Sequence, residues 1–89
     1  MSPKSIHKAE YKVLQGLLRE MRIKAHPNQA DLAALLGRKQ SYVSDVERGS
    51  RRMDLLQLRD FCLACDQDLV GFVSRFEEKI AGGPNRLAL

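Results

Sequence analysis

Eighty-nine residues, 44% hydrophobic and 29% charged, provide for one small core and exclude a second domain. No apolar run is long enough to span a membrane, and the Met1 to Ser5 start lacks the apolar stretch of a signal peptide, so cytoplasmic residence is expected. The net charge of +4 is uneven: eleven Lys and Arg face five Asp and Glu in the first 52 residues, while the last 37 carry four against six.

In chain order, Leu14, Leu17, Leu18, Met21 and Ala25 fall on one helical face. That helix should end before Pro27, whose ring disfavours the α conformation at His26. Asn28 then caps a second helix with Asp31 at its third position, an arrangement close to a capping box. Ala30, Ala33 and Leu36, with Leu32 and Leu35 beside them, predict its apolar face, and Gly37 marks a left-handed end. A third helix starts near Lys39 or Gln40, buries Val43 and Val46, and stops at Gly49. The small Ala33 suits a close crossing of these two short helices.

Further on, Asp54 caps a fourth helix with Gln57 at the capping-box position, and Leu55, Leu58, Phe61, Cys62 and Cys65 form its expected buried stripe. Asp66, Gln67 and Asp68 break the chain. Leu69, Val70, Phe72, Val73, Phe76 and Ile80 resume helical spacing up to a Gly82-Gly83-Pro84 breaker. The expectation is all-α: five helices and no strand, in one domain over residues 1–82 with a short tail over 83–89. Cys62 and Cys65 make a C-x-x-C, but inside an apolar helix pattern they read as two small buried thiols, and the second ligand pair of a zinc site is missing.

Two short helices joined by a tight turn, Asn28 to Gly49, have the outline of a DNA-reading helix-turn-helix. The segment resembles the lambda repressor and Cro class, the XRE family, from about Leu14 to Leu69. Arg22 ahead of Gln29-x-x-Leu32-Ala33 carries the resemblance, with Gly37, Val43, Ser44, Val46, Glu47 and Gly49. It implies a five-helix lambda-repressor-like fold whose second and third helices form the motif. Lys39 stands where Ser or Thr usually caps the reading helix, Arg48 replaces the usual Asn before the glycine, and Asp66 occupies a position often held by Gly, which predicts a left-handed Asp or a different turn.

By that resemblance the third helix enters the major groove, where base edges display a distinct pattern of donors, acceptors and methyl groups. The base-facing positions are then Lys39, Gln40, Ser41, Ser44 and Asp45. Gln40 suits adenine, Lys39 suits guanine, and Asp45 must meet a cytosine amino group or avoid DNA. Phosphate contacts are expected from Gln29 at a helix N-terminus and from Arg48, Ser50, Arg51 and Arg52 after the reading helix. Tyr42 has two readings, a hydroxyl donor to phosphate or packing on the first motif helix. Arg22 and Glu47 resemble the family's buried ion pair, with part of the Arg22 guanidinium left for a phosphate. The basic front half of the chain is the charge shape of a phosphate-contacting face.

Regulators of this class usually act as two-fold dimers on paired half-sites. The expected dimer element is the last helix, about residues 69–80, through Leu69, Phe72, Val73, Phe76 and Ile80, with Leu87, Ala88 and Leu89 of the tail across a partner; packing of these residues within the monomer is the alternative. Catalysis has no support: His7 and His26 lie at no metal spacing, and Ser41 and Ser44 have no activating neighbour. No cofactor is expected. The partner is double-stranded DNA with a two-fold operator, and the function a transcriptional repressor or autoregulator of bacterial or phage type. The competing reading is an antitoxin or interaction module whose main partner is a toxin or other protein.

Overall fold

Helix α1 (Pro3–Ala25) begins well ahead of the apolar stripe that predicts it. Pro3 suits a first helical turn because its missing N–H would be unpaired there anyway, and Lys, Ala and Glu downstream are good helix formers. The computed structural model describes the backbone of residues 3–81 and the side chains of residues 9–80. Within them lie four more helices, α2 (Gln29–Leu36), α3 (Gln40–Arg48), α4 (Leu55–Ala64) and α5 (Leu69–Ala81), and no strand. The expected contribution of Leu87, Ala88 and Leu89 lies outside the described residues, and the side chain of His7 lies outside the described side chains.

Helix α2 packs on α3 and α4, while α1 packs on α3 and α5 and α4 on α5. Leu17, Leu18 and Met21 of α1 meet Leu32, Ala33, Val43, Val46, Phe61, Cys62 and Phe72 in one core. Ala33 is 1% exposed at the α2–α3 crossing, as its small volume predicts. Three helix ends behave as read. Gly37 and Gly49 are left-handed at φ 68° and 82°, and Asp66 takes φ 59° after α4. The Asp54 box is complete: Asp54 Oδ1 accepts from Gln57 N at 2.8 Å, and Gln57 Oε1 accepts from Asp54 N at 2.9 Å.

Four expectations are corrected. Asn28 has the extended backbone of a cap, but its side chain makes no capping bond, so no box forms with Asp31. Leu35 and Leu55 are 63% and 64% exposed and Ala30 is exposed too, because each helix turns only part of its broad apolar face inward. Phe72, expected at a dimer face, is 1% exposed in the monomer core. Leu69 and Phe76 pack against that core, leaving Val70 and Val73 as the exposed large apolar residues of α5.

Candidate nucleic-acid interface

Helix α3 buries Tyr42, Val43 and Val46 on its inner side. The opposite side therefore carries Gln40, Ser41 and Arg48 exposed, with Ser44 and Asp45 half-buried, so the residues expected to read bases share one outer face. Lys39 precedes them as the N-cap, in extended backbone (φ −78°, ψ 155°) and without a side-chain cap bond. Helix α3 thus starts at Gln40, with the Lys39 ammonium exposed beside its first turn.

This helix is anchored through Glu47. Its carboxylate accepts from Arg22 Nε at 2.6 Å and Nη2 at 3.0 Å, and from Gln29 Nε2 at 3.1 Å, while its backbone carbonyl accepts from Gln15 Nε2 at 3.1 Å. Arg22 Nη1 donates in addition to the carbonyls of His26 and Pro27, at 3.2 and 2.6 Å. With Arg22 4% exposed and its guanidinium bound on three sides, it is scaffold, and the expectation that it reaches phosphate is corrected. Gln29 joins the same network. Its amide nitrogen is held by Glu47, and its oxygen accepts from Gln40 Nε2 at 3.2 Å. A bonded chain therefore runs from Arg22 through Glu47 and Gln29 to the exposed amide of Gln40.

At the far end of α3, Arg48 pairs with Asp45 and leans on Ser44 Oγ at 3.4 Å. An exposed pair of this kind is worth only about 0–1 kcal/mol, so Arg48 can exchange Asp45 for a phosphate at small cost. Meanwhile Asp45 meets a cation of its own helix, which reduces the repulsion it would bring to DNA. Ser50 stays exposed, and its N–H and hydroxyl both donate to the Asp45 carbonyl, at 2.9 and 3.2 Å.

Arg51 and Arg52 are exposed after Gly49. Tyr42 is 7% exposed and its ring packs in the core cluster, as the packing reading expects. The guanidinium carbons of Arg38 and Arg51 lie 4.4 and 5.0 Å from that ring's centre. Tyr11 reaches the same loop: its hydroxyl donates to the Arg51 carbonyl at 3.3 Å, and Arg52 lies 5.7 Å from its ring centre. Sequence reasoning missed Arg38, Tyr11 and Gln15. Arg38 sits within the basic cluster beside Gly37 and was findable by charge; Tyr11 and Gln15 act across the fold and carry no local signal.

Other chemistry is thin. Among the described residues no group of His, Cys, Asp and Glu is placed to hold a metal, and no helix is long and apolar enough to cross a membrane. Cys62 and Cys65 are free, buried thiols, and burial pushes Cys65 up from its ordinary 9.0 to about 11, which keeps it protonated and a poor nucleophile.

Comparison with known proteins agrees with this geometry. A family model described as a helix-turn-helix domain matches residues 14–70. A solved structure described as an XRE-family like protein from Pseudomonas syringae pv. tomato str. DC3000 superposes with a TM-score of 0.79 at 42% identity, covering 85% of this chain and 93% of that one. No curated protein matches. The five-helix order, the α2–α3 motif and these matches place the chain in the XRE family of helix-turn-helix, DNA-binding transcription regulators.

Proposed function

We propose that the protein binds double-stranded DNA sequence-specifically as a homodimer on a two-fold operator, acting as a repressor or autoregulator of bacterial or phage type. The observation that carries this reading is the bond from Gln40 to Gln29, 3.2 Å long, on the exposed side of the motif. An exposed glutamine on a helix ordinarily samples many rotamers, and fixing it costs side-chain entropy on binding. Gln29 orients Gln40 before DNA arrives, which favours a two-bond contact to adenine N6 and N7. Lys39, Ser41 and Ser44 flank it as further readers, and Arg48, Arg51 and Arg52 supply phosphate contacts that set register.

One reading helix covers too few base pairs for specificity alone, so a second copy is part of the proposal. Val70 and Val73, 75% and 40% exposed and one helical turn apart on α5, are its contact. The test is selection of duplexes from a random pool at about 0.15 M salt, where non-specific phosphate binding is weakened. Enrichment of a two-fold motif, lost in a Gln40→Ala, Ser41→Ala variant, is expected; a pool without enrichment refutes the reading.

A protein-partner role has one observation in its favour. Leu35 and Leu63, 63% and 50% exposed, border an open cavity of about 630 Å³ with Leu36, His26, Asp60 and Asp66, away from the exposed face of α3. Failure of duplex selection would move the main function to a protein partner, such as a toxin, at that groove.

A further inference from the structure

We propose that Tyr42 is a positioning residue whose buried ring gathers Arg38 and Arg51 into a two-guanidinium site for a DNA backbone phosphate, with Arg38 an additional contact. The inference rests on the DNA-binding reading and deepens it.

The two arginines come from different elements. Arg38 follows Gly37 in the turn between α2 and α3, and Arg51 lies in the loop between α3 and α4. Like charges repel, so bringing both within 5.0 Å of one ring centre requires a compensating attraction. The electron-rich π-system of the tyrosine ring supplies part of it. Neither arginine has a carboxylate within ion-pair distance among the described residues, although Asp60 lines the same small hollow as Arg38 and Tyr42. Stacking on a ring leaves the guanidinium N–H edges free, and those edges match phosphate oxygens in pairs. Tyr11 tethers the loop by donating to the Arg51 carbonyl at 3.3 Å, which holds the Arg51 backbone near the ring. This role falls to the ring, which lies in the core cluster, and the Tyr42→Phe variant separates it from the hydroxyl.

Arg75 provides a matched comparison, since it too lies over a ring, that of Phe72, 5.8 Å away on α5. The experiment measures affinity for a non-specific duplex between about 0.05 and 0.2 M salt, where each phosphate contact contributes about 0.9 to the slope of log K against log salt. Arg38→Ala should lower that slope by about one contact, and Arg75→Ala should leave it unchanged. Tyr42→Leu should lower it as Arg38→Ala does, and Tyr42→Phe, which keeps the ring, should restore it. Circular dichroism checks the fold of both Tyr42 variants, and Arg38→Ala alters an exposed side chain and keeps the test open if Tyr42→Leu unfolds. An unchanged slope in Arg38→Ala, or an equal drop in Arg75→Ala, overturns the site while leaving DNA binding intact. Absence of duplex binding by the unaltered chain at low salt overturns both.

Discussion

Glu47 receives two guanidinium N–H groups of Arg22, at 2.6 and 3.0 Å, with both side chains only 5% exposed. The pair joins the last turn of α1 to the last turn of α3, and Glu47 also accepts from Gln29, the residue that holds Gln40. A buried pair gains little over an apolar replacement, because desolvation offsets much of its attraction, but a half-broken one leaves a stranded charge.

Glu47→Gln should therefore destabilise the domain by about 3–5 kcal/mol, as expected for removal of one partner of a buried pair. An Arg22→Met, Glu47→Leu double variant should regain most of that loss. Urea unfolding followed by circular dichroism reads both; a double variant no better than the single one would show that the anchoring bonds to Gln29, His26 and Pro27 matter more than the stranded charge.

Base reading and its support separate in a second pair of variants. Gln40→Ala should cost about 1–3 kcal/mol at one operator position and relax the preference there. Gln29→Ala leaves the reader present but unheld, so its loss should be smaller and fall at the same position. Competition binding against operators substituted one position at a time measures this, and uniform losses on every sequence would remove Gln40 as a reader.

The two helix-ending glycines differ in surroundings. A Cβ at Gly37 meets nothing within 4 Å, whereas one at Gly49 would lie 2.6 Å from Gln15 Nε2. Both are left-handed, which costs a non-glycine residue about 1–2 kcal/mol. Gly49→Ala should lower the melting temperature more than Gly37→Ala, since it also displaces the Gln15 bond to the Glu47 carbonyl. Equal melting shifts would mean that Gln15 moves aside freely.

Self-association through α5 predicts that a Val70→Asp, Val73→Asp variant sediments as a monomer at concentrations where the unaltered chain is a dimer. Two charges on a 75% and a 40% exposed position should leave the fold intact. Unchanged sedimentation would place any dimer contact elsewhere.

Burial of Cys65 predicts a loss of stability in alkali. Its thiol ionises near the ordinary 9.0 when the chain is unfolded and near 11 when folded. The unfolded chain thus releases its proton first, and stability, whole below pH 9, should fall as pH rises toward 11. Cys65→Ala should flatten that decline in urea midpoints, and a parallel decline in both proteins would assign it to other groups.

Much of this molecule is set locally. Gly37, Gly49 and the Asp54–Gln57 box end or start helices through bonds within a few residues, so they are legible in the chain itself. The outer face of α3 is legible for the same reason, because Val43 and Val46 on one side dictate which residues point away. The sequence narrows the start of α3 to Lys39 or Gln40, and the structure sets it at Gln40 with Lys39 as an N-cap that makes no side-chain bond.

Apolar stripes, in contrast, name more candidates than a small core can take. Leu35 and Leu55 lost that competition to Leu32 and Phe61, while Phe72 went inward and left Val70 outside. Composition and spacing by themselves determined an all-α chain with two short helices joined by a tight turn and a polar outer face on the second. The assignment of that face to base reading is what the family resemblance implies. Only the tertiary structure tied Arg22 to Glu47 and brought Arg38 and Arg51 to one ring, because those outcomes join residues far apart in sequence. Helix periodicity acts over a few residues, and the contacts that orient this face act between elements that meet only when the core forms.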